Sequence, residues 1–193
     1  MPVVATSGAH YDRAVTFSTP LADDIILRLA KKGDAEAIAD AYVRNRQHLA
    51  EWEPVRSEDF FTAAHQTTVV SAQLGQHATG GCLPLVLCQG SSVVGRINVS
   101  NIVRGPFLSG SVGYWVDGSL TGRGLASAAL QAVIAHSRDE LGLHRLEASV
   151  LLRNAASRRV LARAGFEPIG VAPAYLKIAG EWQDHLLTQR ILA

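Results

Sequence analysis

Hydrophobic and polar positions change their period several times along the chain, which predicts a succession of helices and strands. The clearest helical period covers residues 126–141, where apolar side chains recur every three or four positions. Weaker helical periods predict helices over residues 35–49, with Asp34 as the N-terminal cap, and over residues 58–74. A short fourth helix is predicted over residues 155–164, between a capping asparagine and a glycine.

Alternating positions and short apolar runs predict about seven strands. Two of them, residues 83–89 and 93–103, are separated by a Gly-Ser-Ser turn and form a predicted hairpin. In its second strand Arg96, Asn98 and Ser100 alternate with apolar residues, so one face points to solvent or to a site. The order of elements predicts an α/β (α+β) fold with a mainly antiparallel sheet flanked by helices. The other predicted strands are residues 25–29, 111–116, 145–152, 167–178 and 182–192.

Length and composition favour one globular domain. The chain has 193 residues, of which 48% are hydrophobic and 18% charged, so it can bury a sizeable core. Residues 1–22 are rich in threonine, serine and alanine and are predicted to be a loose arm or an extra edge element. Residues 23–193 are predicted to form a single domain.

Charge and cysteine usage exclude several classes of partner. A net charge of +1 gives no electrostatic reason to expect nucleic acid or a membrane as the main partner. Cys82 and Cys88 have no metal-like spacing with the seven histidines, so no metal is expected. The N-terminus has no basic segment followed by an apolar run, and a reduced cytoplasmic protein, monomer or homodimer, is the expectation.

The sequence Gly122-Arg123-Gly124 lies between the strand that ends at Val116 and the clearest helix. Two glycines let the backbone approach a ligand closely, and a new helix presents unpaired N–H groups at its positive end. Such a junction suits a phosphate group. The same glycines are also compatible with an ordinary turn that starts a helix.

This loop, residues 121–126, resembles the pyrophosphate signature of the GNAT acetyltransferases, Gln/Arg-x-x-Gly-x-Gly/Ala, with Thr121 where glutamine or arginine is usual. Residues 154–166 resemble the Asn-x-x-Ser…Gly-Phe segment of the N-terminal acetyltransferases in that family. Three further stretches are similar to the RimJ and RimL types, which acetylate ribosomal proteins, and most similar to the RimJ type. These stretches are residues 45–56, 98–105 and 175–185.

The resemblance implies a GNAT-like fold and acetyl-CoA as co-substrate. In that family the strand before the glycine loop separates from its neighbour, and its exposed backbone N–H groups bind the acetyl oxygen. Gly113, Tyr114 and Trp115 occupy this place, with Val116 as the first contact to the pantetheine arm. The cofactor-binding residues implied are Trp115, Val116, Thr121, Gly122, Arg123, Gly124, Leu125, Ala126, Asn154 and Ser157.

The predicted catalytic residues are Ser157, Glu53 and Tyr114. The resemblance implies that Ser157 lies near the sulfur of coenzyme A and protonates or hydrogen-bonds the departing thiolate. Its alternative role is structural, in the first turn of a helix capped by Asn154. The base is open among Glu53, Glu147, Asp184 and His185, while Ala174 stands where some RimL-type relatives have a glutamate. The predicted acceptor-binding residues are Trp52, Glu53, Arg104 and Tyr175.

These residues favour transfer of an acetyl group to the N-terminal amine of a protein, with alanine first, such as a small-subunit ribosomal protein. Direct attack in a ternary complex is expected, since neither cysteine is at a plausible nucleophile position. An N-acetyltransferase of small molecules would use the same scaffold with another acceptor groove. A protein that binds coenzyme A or a ribosomal partner without catalysis, and a different nucleotide-binding fold, are further alternatives.

Overall fold

The computed structural model describes residues 17–22 and 24–192, which form one eight-stranded sheet with helices on both faces. The strands are β1 (Ser18–Pro20), β2 (Ile25–Leu29), β3 (Leu83–Gln89), β4 (Ser92–Val103), β5 (Ser109–Val116), β6 (Arg145–Leu151), β7 (Glu167–Ile178) and β8 (Glu181–Ile191). The helices are α1 (Ala35–Arg44), α2 (Arg46–Leu49), α3 (Ala63–Ala78), α4 (Leu125–Asp139) and α5 (Ala155–Arg163). Short 3₁₀ turns cover Lys32–Asp34, Glu58–Phe61 and Gly118–Leu120.

The strand order is β1-β2-β3-β4-β5-β6-β8-β7, and every neighbouring pair is antiparallel except β5 and β6. The prediction of a mixed, mainly antiparallel sheet is therefore confirmed. The sheet has eight strands rather than seven because β1, in the segment predicted to be a loose arm or an extra edge element, adds to the edge of β2. Residues 1–16 of that segment lie outside the described residues, and its separation from the domain stays a prediction.

Strand β3 explains how the two faces of the sheet are covered. Successive side chains of a strand point to opposite faces: Leu85 and Leu87 pack in the cluster that includes α4, and Val86 and Cys88 in the cluster that includes α1 and α3. Because both faces of β3 are buried, its sequence is a continuous apolar run rather than an alternating one.

Three details of the predicted helices are wrong. Asp34 makes no capping hydrogen bond to α1, because its carboxylate accepts the backbone N–H of Lys31 at 2.7 Å and pairs with both terminal nitrogens of Arg28 at 2.8 Å. The helix predicted over residues 35–49 is interrupted at Asn45. The helix predicted to end before Gly75 continues to Ala78, since one glycine costs a helix only about 1 kcal/mol.

Candidate active site

A cleft opens where β5 and β6 separate. The two strands are paired only from Ser109 to Ser111 and from Arg145 to Glu147, and beyond these residues the parallel ladder ends. A cavity of about 190 Å³ occupies the gap, lined on one side by residues 112–115 and on the other by residues 148–151. This is the separation that the resemblance implied at Gly113, Tyr114 and Trp115.

The glycine loop follows directly from the separated end of β5. Gly122 and Gly124 both have φ of +78°, a conformation that side chains with a Cβ rarely adopt. Gly124 caps α4, and the backbone N–H groups of its first turn have no earlier helical carbonyl to bond. Residues 121–124 are exposed, whereas Leu125 is buried and anchors the helix in the core. The loop thus presents backbone N–H groups to solvent from a fixed helix end.

Asp117 ties the start of this loop to the end of α1, an arrangement that the sequence analysis missed. One oxygen of its carboxylate accepts from Arg44 Nε and Asn45 Nδ2, both at 2.8 Å, and the other accepts from Ser119. Asn45 in turn accepts the backbone N–H of Gly118 at 2.8 Å. Burial alone would raise the pKa of Asp117, but the hydrogen bonds from Asn45, Ser119 and Arg44 outweigh it and hold the pKa well below its usual range.

Tyr114 and Ser157 meet at the cleft. The Tyr114 hydroxyl lies 3.0 Å from Ser157 Oγ, and both residues line the cavity between the strands. Asn154 accepts the backbone N–H of Ser157 at 3.0 Å and so caps α5, as predicted from its sequence. Burial raises the pKa of Tyr114, although the hydrogen bond to Ser157 reduces the rise, so the phenol keeps its proton at neutral pH.

Glu53 lies at the junction of this cleft with two cavities on the α1 and α3 side of the sheet. Its carboxylate is 3.7 Å from Arg56 and largely buried. Burial raises the pKa of Glu53, and the positive charges of Arg56 and Arg96 partly offset this rise. A carboxylate with a raised pKa in a cleft is suited to accept a proton near neutral pH.

The segment that carries Glu53 is fixed to the β7–β8 hairpin. The backbone carbonyl of Glu53 accepts the N–H of Ala179 at 3.0 Å. Arg153 bridges the same two elements, since it donates to the carbonyl of Glu51 at 2.8 Å and to Gln183 at 2.9 Å. Trp52 lines the cleft, and the guanidinium carbon of Arg153 lies 5.5 Å from the centre of its indole ring.

Other predicted residues are farther from the cleft. Arg104 lies just beyond β4, six residues past Asn98 and so roughly 20 Å along the strand, where its side chain donates to the carbonyl of Leu141 at the end of α4. The structure therefore does not bring Arg104 to the predicted acceptor site. Tyr175 is half-exposed on β7, and its ring centre is 5.6 Å from that of His185, which does line the cleft.

The remaining base candidates have other partners. Asp184 accepts the backbone N–H of Ala174 at 2.8 Å, which holds the irregular part of the β7–β8 pairing. Glu147 lies where β5 and β6 are still paired and is 3.7 Å from Arg145. His185 Nδ1 is 2.9 Å from the carbonyl of Gln183. Glu53 alone among the four candidates lines all three cavities.

The predicted cofactor residues divide between the two faces of β5. The indole N–H of Trp115 donates to the Tyr42 hydroxyl at 3.2 Å, so its side chain faces α1. Val116 packs against the core cluster that includes α4. The Thr121 hydroxyl donates to the carbonyl of Gly118 at 3.0 Å and so contributes to the turn itself.

Comparison with known proteins assigns the family. Residues 24–167 match the domain family described as Acetyltransferase (GNAT) domain. The chain belongs to the GNAT acetyltransferase family. It is 36% identical over 173 residues, or 86% of its own length, to the ribosomal protein uS5-alanine N-acetyltransferase of Escherichia coli (strain K12), of which the alignment covers 87%. The predicted resemblance to the GNAT family, and to its RimJ type, is therefore confirmed, as is the prediction of an N-acetyltransferase.

Solved structures of other GNAT acetyltransferases have the same fold. The ribosomal-protein-S5-alanine acetyltransferase from Vibrio fischeri has a TM-score of 0.87 and 36% identity, over 91% of this chain and 96% of that one. Mycobacterium smegmatis RimJ, in complex with CoA-disulfide, has a TM-score of 0.84 and 33% identity, over 90% of this chain and 86% of that one. A relative of this acetyltransferase thus holds coenzyme A on a closely similar backbone.

The described part of this acetyltransferase has neither a candidate metal cluster nor a candidate membrane-spanning helix. Within residues 17–22 and 24–192, no three His, Cys, Asp or Glu side chains are grouped so that they could hold a metal ion. In the same part of the chain, no helix has the length and apolar character that a membrane crossing requires.

The acetyltransferase also has a polar cavity that the sequence analysis found only in part. The alternation of Arg96, Asn98 and Ser100 indicated a polar face on β4, and these residues line a cavity of about 480 Å³ between β4 and α3. Gln66 and Gln73 line its other side. Their spacing of seven residues could have predicted this polar wall, because residues seven apart lie on the same face of a helix.

Proposed function

We propose that this acetyltransferase transfers the acetyl group of acetyl-CoA to the N-terminal amine of a protein, with alanine as the first residue and a ribosomal protein such as uS5 as the acceptor. The observation that carries the proposal is that Glu53, Tyr114 and Ser157 line one cleft between separated strands. The names of the two relatives that act on uS5 or S5 support the choice of acceptor.

The cleft and the loop have the features that acetyl-CoA requires. The exposed N–H groups at the start of α4, with Gly122 and Gly124 in the left-handed conformation, suit the pyrophosphate. The separated end of β5 suits the pantetheine arm, and the backbone N–H groups of alternate residues within 113–116, which point away from β4, are available to the acetyl oxygen. Those N–H groups would stabilise the negative charge that develops on this oxygen during attack.

Glu53 is the proposed general base. An N-terminal amine has a pKa of about 8, so it needs only modest help to lose a proton at neutral pH. The raised pKa of Glu53 brings this carboxylate closer to that range than an exposed glutamate. The amine then forms a bond to the carbonyl carbon, its proton passes to Glu53 directly or through water, and the carbon–sulfur bond breaks.

Tyr114 and Ser157 are proposed to protonate the departing sulfur. Their hydroxyls are hydrogen-bonded to each other, and either oxygen can be the donor. The Tyr114 phenol carries a proton at neutral pH, since the usual pKa of a tyrosine is about 10 and burial raises it further. Passing this proton to the thiolate through or beside Ser157 yields coenzyme A thiol and the acetylated amine as the two products. The phenolate of Tyr114 then takes a proton from water, and Glu53 releases to water the proton that it accepted from the amine.

The state of the cysteines supports direct attack rather than an acetyl-enzyme. Cys82 and Cys88 are the two cysteines of the chain, and both are buried free thiols. Burial raises the pKa of Cys82 to about 11, with a small opposing effect of Arg96, and it also raises the pKa of Cys88. Because the thiolate is the nucleophile, neither group is activated.

The test is the release of free thiol from acetyl-CoA with the purified full-length chain. The acceptors are a peptide that begins with alanine and the same peptide with a blocked N-terminus. Turnover of the free peptide alone is the expected result. Equal thiol release with both peptides would contradict acetylation of the N-terminus. Turnover of a panel of small amines without turnover of the peptide would support the small-molecule alternative.

A further inference from the structure

The polar cavity on the α1 and α3 side of the sheet contains buried groups that lack partners within the protein. Arg96 is only 3% exposed, and one end of its guanidinium donates to Gln73 Oε1 at 2.6 Å. Three polar atoms are buried and have no hydrogen-bond partner among the described residues: Nε of Arg96, Oε1 of Gln66 and Oδ1 of Asn98. Unpaired buried polar atoms are costly, so a cluster of them around one cavity indicates that a polar ligand completes it.

The charge of the cavity favours an anion. Two arginines, Arg56 and Arg96, line the cavity, and Glu53 is the one acidic residue among the described residues that line it. Glu53 lies 3.7 Å from Arg56, while none of the ion pairs in the described part of the chain includes Arg96. A buried guanidinium without a paired carboxylate is a strong binding group for one, because the pair forms charge-assisted hydrogen bonds.

The register of the sheet places this group close to the cleft. Arg96 lies directly opposite Trp115 in the β4–β5 ladder, and Asn98 lies opposite Gly113. Facing residues of antiparallel strands have Cα atoms about 5 Å apart and share a face. Gly113 lines both the cleft and the polar cavity, and a Cβ built on it would meet no atom of the described residues within 4 Å, so the two spaces adjoin at an open position of β5.

We infer that Arg96 binds a carboxylate of the acceptor and so makes this acetyltransferase prefer acceptors with an acidic group close to the reacting amine. The inference rests on the proposed function, since it assumes that the amine enters the cleft past Glu53. Arg96 lies about 5 Å from Trp115 of the cleft, since the two face each other in the ladder. An extended peptide advances about 3.4 Å per residue, so the carboxylate belongs to the second or third residue. Gln66 and Asn98 contribute polar side chains to the wall of the same cavity.

The experiment compares two pairs of peptides that begin with alanine. One pair has glutamate or its neutral isostere glutamine at the second residue, and the other pair has glutamate or glutamine at the third. The preference is the ratio of kcat/KM for the glutamate peptide to kcat/KM for its glutamine partner. We expect this ratio to be roughly tenfold or more at one of the two positions, as for a buried charge-assisted hydrogen bond. Ratios near one at both positions in the wild type would overturn the inference.

Variants assign the preference to Arg96. Arg96→Gln is expected to bring the ratio close to one, and Arg96→Lys, which keeps the charge, to retain part of it. Arg138→Gln is the matched control, because Arg138 is an exposed arginine that pairs with Asp139 at the end of α4. A preference that persists unchanged in a folded Arg96→Gln variant would overturn the inference. Thermal unfolding of each variant establishes that it is folded.

A binding measurement separates this inference from the proposed function. If no peptide is turned over, the acetylated forms of the glutamate and glutamine peptides are titrated into the protein with coenzyme A present. Tighter binding of the glutamate peptide that is lost in Arg96→Gln supports the carboxylate site, even though the proposed function fails. Equal binding of the two peptides, or no binding of either, overturns the inference about Arg96. A comparison of alanine with alaninamide shows whether the carboxylate of a free amino acid is the group that binds. A preference for alanine that Arg96→Gln removes supports a carboxylate site that binds a free amino acid.

Discussion

The hydroxyl oxygen of Tyr114, on β5, lies 3.0 Å from Oγ of Ser157, on α5, although the two residues are 43 positions apart in the sequence. The contact spans the cleft between the separated strands. In the proposed mechanism, this phenol and this alcohol protonate the departing thiolate. Tyr114 is held from the sheet and Ser157 from a capped helix, so neither hydroxyl depends on a long loop for its position.

We predict that Ser157→Ala and Tyr114→Phe each lower kcat about 10- to 100-fold while the affinity for acetyl-CoA changes little. The double variant should lose hardly more than the worse single variant, because the two hydroxyls act as one proton-donating unit. Steady-state kinetics of thiol release measure both effects. Ser92→Ala, which removes an exposed hydroxyl at the start of β4, is the control. Fully multiplicative losses would contradict a shared role.

Glu53→Gln is expected to lower kcat/KM about 10²- to 10³-fold near pH 7 through loss of the base. In the wild type, kcat/KM should fall as the pH drops through the pKa of Glu53, which burial raises above the usual value of a glutamate. The variant should lack this acidic limb and follow only the amine, with a pKa of about 8. The pH profile of kcat/KM measures the difference. Glu36→Gln, on the exposed face of α1, is the control, and an unchanged profile in Glu53→Gln would exclude Glu53 as the base.

The same substitution should stabilise the fold at neutral pH. A carboxyl group with a raised pKa in the folded state contributes stability below its unfolded pKa and loses that contribution as the pH rises through the folded pKa. Ionised Glu53 therefore lowers the free energy of unfolding at pH 7, and Glu53→Gln removes this cost. Denaturant unfolding at pH 7 and at pH 4 should show a gain for the variant at pH 7 that shrinks at pH 4. A gain of the same size at both values would mean that charge burial is not its cause.

Asp117→Ala should lower the free energy of unfolding by about 2–3 kcal/mol, because it leaves the buried amide of Asn45 and the N–H of Ser119 without their acceptor. It should also raise KM for acetyl-CoA, since Asp117 connects α1 to the turn before the glycine loop. Chemical denaturation and steady-state kinetics measure the two effects. Asp40→Ala, an exposed position on α1, is the matched control and should change neither.

The pH dependence of this contribution has the opposite sign to that of Glu53. The pKa of Asp117 is lowered in the folded state, so the group stabilises the fold above its unfolded pKa of about 4 and loses this effect as the pH falls further. The difference in unfolding free energy between the wild type and Asp117→Ala should therefore shrink in acid. A difference that is independent of pH would contradict this electrostatic account.

Gly124→Ala should weaken the binding of acetyl-CoA and destabilise the fold by about 1 kcal/mol, because φ at this position is +78°. The added Cβ would meet no neighbour within 4 Å, so the cost arises from the backbone alone. Gly142→Ala is the matched control: its φ is +60° and its Cβ would also be free, but it lies after α4, away from the loop. Calorimetric titration with coenzyme A should distinguish the two variants. Equal affinities would argue against the loop as the phosphate site.

Much of the fold could be predicted because its signals are local. The apolar period of α4, the cap at Asn154 and the alternation on β4 and β6 each depend on residues within a few positions of one another. Two side chains have partners other than those that the sequence predicted. Asp34 is engaged by Arg28 instead of capping α1, and Arg104 reaches Leu141 instead of the acceptor side.

The sequence by itself determined the order of elements, the glycine loop before α4, the capped start of α5 and, through its motifs, the acetyltransferase family. Only the tertiary structure decided which side chains meet: Tyr114 with Ser157, Asp117 with Asn45, and Glu53 with the cleft. The physical reason is the range of the interactions. Helix periods, caps and turns are set by neighbours in the chain, whereas the cleft exists because β5 and β6, adjacent in the sheet but separated by a helix in the chain, part after three pairs of residues.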